Sequence, residues 1–327
     1  MPGLARGHIV CGLDIGTTKV VSVIAEVGPN GYPQILGMGE CPTIGVRKGA
    51  VTDETALGKS LSQAVLAAET MAKESVKTVY LASPLASQLT GWESLNEQLL
   101  NSVQLIGLQP IELVPSVVTA AEALLTDTDK KLGTVLLDLG GLTSNLAIFD
   151  GGVLTQTNSL AVGSEHISSD LALCLRTTIS EGERIKKLLG VSYAETEDFV
   201  EVRSVGGNDQ RKVPLRAVRD IIESRVKEIL ELAHQAISQA CRPESLAGGV
   251  IFTGGGALLA GLLPLAKNVL QVSKLAIGRP GRVGVPDEMW VSPEYASAIG
   301  LAIYGAKRKF RRTGRISGWR QVLDKFM

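Results

Sequence analysis

The 327-residue chain lacks the features that define disulfide-stabilised, zinc-stabilised and membrane-spanning proteins. It has only four cysteines, none in a CxxC pair, so neither a disulfide framework nor a zinc site is expected. No apolar run reaches the roughly 18 residues that cross a bilayer. An acidic residue at position 14 comes too early for a signal peptide, and we therefore expect a reduced, cytosolic protein. The GxxxxGK[ST] pattern is also absent, which excludes a P-loop nucleotide site.

The composition is typical of a globular protein, with 45% hydrophobic and 20% charged residues. The length suggests two domains or lobes. Hydrophobic periodicity predicts helices at residues 51–74, 92–106, 116–125, 164–175, 180–189, 214–240 and 292–306. Strands are predicted at residues 8–14, 20–27, 34–40, 76–82, 111–114, 134–138, 145–149, 153–160 and 249–252, with a hairpin around 206–209.

Two segments share the pattern of a strand that ends in aspartate and runs into a glycine-rich turn. GLDIGTTKVVSVIAEV aligns with LLDLGGLTSNLAIFDG, so that Asp14 matches Asp138 and Gly16 matches Gly140. Each segment predicts a strand–turn–strand–strand unit, and each unit is followed by helices. This pattern predicts an internal duplication within an α/β fold.

The glycine-rich turns indicate a site for a polyanion. Glycine lets the main chain approach a ligand closely, and successive N–H groups in a tight turn form an anion-binding nest. Asp14 and Asp138 cannot contact phosphate directly, but they can hold the water shell of a Mg²⁺ that bridges phosphates. The residues predicted to surround the phosphates are Gly16, Thr17, Thr18, Lys19, Gly140, Gly141 and Thr143.

A third glycine cluster, TGGG, follows the predicted strand at residues 249–252. Gly254, Gly255 and Gly256 are suited to ribose, α-phosphate or adenine, because the cluster opens a helix. The alternative for each cluster taken singly is an ordinary tight turn. Three clusters at three strand ends favour a nucleotide in a cleft between two duplicated lobes.

The last 21 residues carry a net charge of +7, whereas the preceding 306 carry −7. This imbalance indicates an electrostatic partner for the tail. Placed on a helix, the tail has one apolar face flanked by basic residues, which is typical of an interfacial membrane anchor. The alternative is a terminal helix that packs on the protein's own core. The apolar face would consist of Ile316, Trp319, Val322, Leu323, Phe326 and Met327.

In combination, the motifs resemble those of the actin-like ATPases. GLDIGTTK is similar to their phosphate-1 motif, DLGGLTS to phosphate-2 and VIFTGGGALLAGL to the adenosine motif. Glu183 and Lys186 match an E-x-x-K helix that holds ribose and adenine in that superfamily. Within it, the chain most resembles the FtsA family, through CPTIGVRKGAVTD, the SVGG hairpin, IIESRVKEIL, SAIGLAIYG and the basic C-terminal helix. The resemblance implies an actin-like (ribonuclease H-like) duplicated fold, with a nucleotide cleft between two lobes.

The resemblance also implies a domain organisation with one departure from the family. FtsA carries an inserted domain, 1C, where this chain has only about ten residues, 83–92, too few for a domain. Lobe I is then expected at residues 1–130 plus 288–306, with the linker 83–92 in place of 1C. Lobe II is expected at residues 131–287, with a 2B subdomain around 180–246, and the membrane-targeting tail at 307–327.

Slow ATP hydrolysis is expected from the residues near the predicted phosphate site. Active relatives carry Glu or Gln just before the helix corresponding to residues 116–125, and here that stretch is the largely apolar LVPS. Asn145 matches the other water-ordering position, and an amide cannot act as a base near neutral pH. The resemblance therefore implies tight binding of Mg²⁺ and ATP with at most slow turnover, and it gives Asp14, Asp138 and Asn145 the catalytic positions.

By this resemblance, the chain would be a polymerising membrane tether in bacterial cell division. It would link FtsZ filaments to anionic lipids at the cytoplasmic face of the cell membrane, at midcell. Arg211 and Arg225 match positions that bind the FtsZ C-terminal tail in the family, and nucleic acid is not expected as a partner. The alternatives are an actin-like segregation filament, a PilM-like pilus-assembly protein, and a sugar kinase of the same superfold.

Overall fold

The computed structural model describes residues 8–28, 31–47, 50–83, 92–191, 198–206, 209–242, 245–281 and 283–312. Two five-stranded sheets dominate the architecture. In chain order the helices are α1 (Glu54–Ala72), α2 (Trp92–Leu105), α3 (Ser116–Leu124), α4 (Asp127–Lys131), α5 (Ser164–Cys174), α6 (Ile179–Leu189), α7 (Leu215–Ala240), α8 (Leu262–Leu270) and α9 (Ala296–Arg312).

Sheet I has the strand order β3-β2-β1-β6-β7. β1 pairs antiparallel with β2, and β2 with β3, whereas β6 and β7 continue the sheet in parallel. The strands are β1 (His8–Ile15), β2 (Lys19–Val27), β3 (Pro33–Pro42), β6 (Thr78–Ser83) and β7 (Gln109–Pro115). β4 (Val46–Arg47) and β5 (Ala50–Val51) form a separate two-residue pairing.

Sheet II repeats this arrangement strand for strand. Its order is β10-β9-β8-β13-β14, with the same two antiparallel pairings followed by two parallel ones. The strands are β8 (Thr134–Leu139), β9 (Ser144–Asp150), β10 (Val153–Leu160), β13 (Gly249–Thr253) and β14 (Leu275–Ile277). The predicted duplicated α/β fold is therefore confirmed.

Helices cover the outer faces of both sheets. α1 and α2 pack on sheet I around a core that includes Leu13, Leu61 and Val103. α5, α7 and α8 pack on sheet II around a core that includes Leu137, Ile222 and Phe252. β11 (Phe199–Arg203) and β12 (Gln210–Pro214) form the predicted hairpin, and Arg184 of α6 donates a hydrogen bond to the carbonyl of Glu201 in it.

Between the sheets, α3 and α9 form a shared helical layer. One apolar cluster joins Val23 of sheet I, Ala120 and Ile299 of these helices, and Leu136 and Phe149 of sheet II. α3 and α9 come close enough that a Cβ on Gly300 would lie 1.7 Å from the carbonyl oxygen of Thr119. The layer therefore connects the two sheets through apolar side chains, and its two helices contact each other backbone to backbone.

Some helices begin or end at other residues than predicted, because a capping side chain or an ion pair sets the boundary. The helix predicted from residue 51 begins at Glu54, because the side chain of Asp53 caps it by accepting the N–H of Ala56 at 2.9 Å. The segment predicted as helix at 292–295 contains a 3₁₀ turn, Pro293–Tyr295, before α9. The short elements α4, β4, β5 and β14 were not predicted, because they are too short to show periodicity.

The end predicted for the last body helix, at residue 306, is wrong by six residues. α9 continues to Arg312, because the basic residues that follow Ala306 find partners in lobe I. Lys307 pairs with Glu122, and Arg308 pairs with Glu112 at 2.7 Å. The positive charge of the tail therefore begins on a helix of the body. Among the helices in the described ranges, none combines the length and hydrophobicity of a transmembrane span.

Gly300→Ala is expected to lower the free energy of unfolding by about 2 kcal/mol or more, because the added methyl group would collide with the α3 backbone. Gly58→Ala is the matched control in α1. There the nearest atom to a new Cβ is 3.5 Å away, so the variant should be as stable as the parent or up to about 1 kcal/mol more stable. Urea unfolding measures both, and equal effects of the two substitutions would contradict the close contact.

Candidate functional site

The ends of three strands meet in one cavity of about 420 Å³ between the lobes. Three glycine-containing segments form one part of its wall: the turns after β1 and β8 and the TGGG segment after β13. The other part consists of α6, the 3₁₀ turn before α9, and the N-terminal parts of α3, α5 and α9. The predicted nucleotide and metal residues all line it: Asp14, Gly16, Thr17, Thr18, Lys19, Asp138, Gly140, Gly141, Thr143, Asn145, Glu183, Lys186, Gly254, Gly255 and Gly256. The structure brings them together, and their roles remain predictions.

The two glycine-rich turns match in atomic detail. The N–H of Gly16 donates to the carbonyl of Lys19 at 3.0 Å, and the N–H of Gly140 donates to that of Thr143 at 3.0 Å. A Cβ would lie 2.9 Å from the acceptor oxygen in the first turn and 2.8 Å in the second. Glycine is therefore required at both positions for the same steric reason, and the duplication extends to the turn hydrogen bonds.

Asp14 and Asp138 are the second-to-last residues of β1 and β8. Burial raises the pKa of Asp14 to about 6, although a hydrogen bond from Ser297 and the charge of Lys19 act in the opposite direction. Burial raises the pKa of Asp138 to about 7, and the nearby Asp14 carboxylate adds to this rise. The positive charge of Lys19 therefore offsets only part of the cost of burying the ionised pair.

The TGGG segment approaches Asp138 closely. Gly254 has a φ of 81°, and a Cβ there would lie 2.3 Å from Oδ1 of Asp138. Its N–H donates to the carbonyl of Pro293 at 3.2 Å, and the hydroxyl of Thr253 donates to the same carbonyl at 2.9 Å. These contacts fix the third strand end against the segment that leads into α9.

Glu183 and Lys186 lie one turn apart on α6 and form an ion pair at 2.6 Å. Lys186 also donates to the carbonyl of Ser164 at 3.0 Å, and the hydroxyl of Ser168 donates to Glu183 at 2.6 Å. Burial opposes ionisation of Glu183, but the bonds from Lys186 and Ser168 prevail and lower its pKa. These bonds hold Glu183 and Lys186 in fixed positions in the cavity lining.

Asn145 lies directly opposite Asp138 in the β8–β9 pairing. Its Oδ1 accepts a hydrogen bond from the hydroxyl of Ser159 at 2.8 Å, and its Nδ2 donates to Thr143 at 3.4 Å. At the start of α3, the cavity is lined by Ser116 and not by a carboxylate. Asn145 and Ser116 can orient water beside the two aspartates, but neither an amide nor a hydroxyl is a base near neutral pH.

Sequence motifs did not indicate several residues that the structure places in the cavity. Ser164 and Glu165 begin α5, whereas Glu294 lies in the 3₁₀ turn before α9 and Ser297 in the first turn of α9, far along the chain from every glycine-rich turn. Burial raises the pKa of Glu165, and the charge of Lys186 lowers it in part. Hydrophobic patterning marks α9 as a packed helix and carries no signal that its first turn faces a cavity.

The predicted partner and membrane residues lie elsewhere. Arg225, on α7, pairs with Asp170 at 2.6 Å and also with Glu228, so its guanidinium is already engaged. Arg211 is exposed on β12. The tail residues Ile316, Trp319, Val322, Leu323 and Phe326 lie outside the described residues.

Two mixed sheets of identical topology around an inter-lobe cavity define an actin-like protein. Solved structures share this fold: the PilM–PilN type IV pilus biogenesis complex has a TM-score of 0.70 at 17% identity, over 91% of this chain and 98% of that chain. MreB 5 of Spiroplasma citri bound to AMPPNP has a TM-score of 0.68 at 18% identity, over 96% of this chain and 100% of that chain.

Sequence comparisons give the family. The family described as "Cell division protein FtsA" matches residues 135–300. The FtsA protein of Bacillus subtilis (strain 168) is 34% identical over 235 residues, which cover 71% of this chain and 52% of that relative. That of Escherichia coli (strain K12) is 25% identical over 409 residues, covering 98% of this chain and 97% of that relative. The chain belongs to the FtsA family of cell division proteins, as its motifs predicted.

Asp138→Asn is expected to raise the free energy of unfolding of the nucleotide- and magnesium-free protein by roughly 1–3 kcal/mol at pH 8. The folded protein holds the pKa of Asp138 at about 7, whereas an unfolded Asp ionises near 3.9. Ionised Asp138 therefore lowers the stability of the folded parent by its full amount above pH 7, and this loss of stability fades as the pH falls towards 4. The Asn variant has no such loss.

Urea unfolding at pH 8 and pH 4.5 measures this effect, with the exposed Asp220→Asn on α7 as the control. The gain in free energy of unfolding from Asp138→Asn should be large at pH 8 and small at pH 4.5. The control should unfold with nearly the same free energy as the parent at either pH. An advantage independent of pH would contradict the raised pKa.

Proposed function

We propose that this protein is a nucleotide-dependent, actin-like membrane tether that polymerises and links FtsZ filaments to the cytoplasmic membrane in bacterial cell division. Membership of the FtsA family supports the setting in cell division. The observation that carries the nucleotide dependence is the pair of matched aspartate–glycine turns that face one cavity. The MreB structures with AMPPNP and ADP support a nucleotide ligand for this fold.

The cavity fits a magnesium-bound nucleotide better than a bare polyanion. Its volume lies within the range of small-molecule sites. Five carboxylates line it against three lysines, so a phosphate chain without a cation would be repelled: Asp14, Asp138, Glu165, Glu183 and Glu294 against Lys19, Lys186 and Lys187. The described residues contain no cluster of three or more side chains arranged as direct metal ligands. Two carboxylates that act through water suit Mg²⁺, which keeps several of its waters.

In this proposal each cavity wall has a separate task. Asp14 and Asp138 hold the hydrated cation, and the N–H groups of the two glycine-rich turns hold phosphate oxygens. Glu183 and Lys186 hold the ribose and base, and the TGGG segment gives the ligand a close backbone surface. Bound Mg·ATP would supply the phosphoanhydride bond that is hydrolysed. Asn145 and Ser116 can position water without removing a proton, which favours slow hydrolysis.

The absence of a 1C domain remains part of the proposal. The alignment with the Escherichia coli relative runs over 409 residues, whereas this chain has 327, so that relative has residues without a counterpart here. This difference supports a shortened lobe I. Filament contacts and partners that depend on 1C in the family would then differ in this protein.

Binding of an acidic FtsZ tail is proposed at the β12 and α7 surface. Arg211 is exposed and accessible to a carboxylate, whereas Arg225 would have to exchange Asp170 or Glu228 for the peptide. The exchange of one carboxylate for another costs little on a solvated surface. Arg211 is therefore the more direct contact of the two.

Gly255→Leu is expected to weaken Mg·ATP binding at least tenfold and to leave the melting temperature of the nucleotide-free protein within about 2 °C of the parent. Gly255 lines the cavity, and nothing lies within 4 Å of a Cβ built there, so the side chain would occupy ligand space without disturbing the fold.

Calorimetry and thermal denaturation test this prediction. Gly284→Leu is the matched control, because a Cβ there also meets open space but the residue does not line the cavity. It should bind Mg·ATP as the parent does. Unimpaired nucleotide binding by Gly255→Leu, or no binding by the parent, would argue against a nucleotide in this cavity.

Deletion of residues 314–327 is expected to release the protein from vesicles that contain anionic lipids, because this removes the apolar face and three basic residues. Co-sedimentation with anionic and with neutral vesicles measures the effect, and Phe326→Glu, which keeps the full tail but puts a carboxylate on its apolar face, should also weaken binding. Equal sedimentation of the deleted and intact proteins would contradict the membrane anchor.

A further inference from the structure

Lys19, at the first position of β2, is surrounded by acidic and aromatic groups. Its Nζ lies 3.2 Å from Oε2 of Glu40 and 3.1 Å from Oε2 of Glu294. The same Nζ lies 3.7 Å from the centre of the Tyr295 ring, and the hydroxyl of Tyr295 donates to Glu40 at 3.0 Å. The one lysine on the glycine-rich turn after β1 is thus already paired with two carboxylates.

The two carboxylates differ in where they lie. Glu294 lines the cavity, whereas Glu40, on β3, does not. Glu294 follows Pro293, whose carbonyl accepts hydrogen bonds from Thr253 and Gly254 at the end of β13. Its backbone is therefore fixed to the third glycine cluster, and its carboxylate lies on the cavity side of Lys19.

We propose that Glu294 is an affinity-setting residue that competes with ligand phosphates for the ammonium of Lys19. This inference rests on the proposed nucleotide function and concerns the same cavity. A lysine ammonium has three donors, and Glu40 and Glu294 take two of them. A phosphate that approaches the turn after β1 must share Lys19 with Glu294 or displace it. The ligand class is a magnesium-bound nucleoside phosphate.

Because Glu294 competes with phosphate for Lys19, the affinity for nucleotide is lower than it would be without the Glu294 carboxylate. A partly exposed carboxylate that neutralises the nearest cation costs a charged ligand about tenfold in affinity at moderate salt. An uncharged ligand such as adenosine should not be affected, because it makes no use of Lys19. The effect should also shrink as ionic strength rises.

Calorimetry with Mg·ATP and with adenosine tests the inference on the full-length chain. Glu294→Gln is expected to bind Mg·ATP about tenfold more tightly than the parent and to bind adenosine equally well. Glu40→Gln is the matched control: it removes the other carboxylate at a similar distance from Lys19, and its gain should be under about threefold. In a Lys19→Met background, the gain from Glu294→Gln should disappear.

Four outcomes would overturn the inference while the parent still binds Mg·ATP: no gain with Glu294→Gln, an equal gain for adenosine, an equal gain with Glu40→Gln, or a gain that persists without Lys19. The second outcome would mean that Glu294 acts through the fold, and the last that Lys19 is not involved. A parent that binds no Mg·ATP would instead contradict the proposed nucleotide function, so the two failures are distinguishable.

Discussion

The cleft places the carboxylates of Asp14 and Asp138 near each other and away from most of the solvent, and the rest of the structure depends on this arrangement. Their pKa values rise to about 6 and about 7, which shows that the folded chain by itself does not neutralise the pair. When both carboxylates are ionised, the pair favours a cation between the lobes. In our proposal, N–H groups of the glycine-rich turns beside the carboxylates would hold the anion that such a cation carries.

The helical layer of α3 and α9 links this charge pair to the rest of the molecule. Ser297, in the first turn of α9, hydrogen-bonds with Asp14 and shares a hydrogen bond with Thr119 of α3. Farther along the same helix, Lys307 and Arg308 pair with acidic residues of lobe I. One continuous helix therefore runs from the cavity wall into the first residues of the tail.

Much of the fold and the centre of the site could be predicted, because local signals carry them. A strand that ends in aspartate before a glycine turn is visible within eight residues, and its repetition at Asp138 predicts the second sheet. The extent of α9 could not be predicted in this way, because Lys307 and Arg308 are held by Glu122 and Glu112 of other elements. Short elements such as α4 and β14 carry too few residues for a periodic signal.

The sequence by itself determined the duplication, the family and the residues of the glycine-rich turns, since each depends on contacts between chain neighbours or on motif resemblance. Only the tertiary structure decided what surrounds Lys19. Tyr295 and Glu40 are 255 positions apart, yet they meet beside this lysine together with Glu294. No local pattern encodes such a meeting, because it arises from the way α9 packs between the lobes and brings the preceding 3₁₀ turn to the cavity wall.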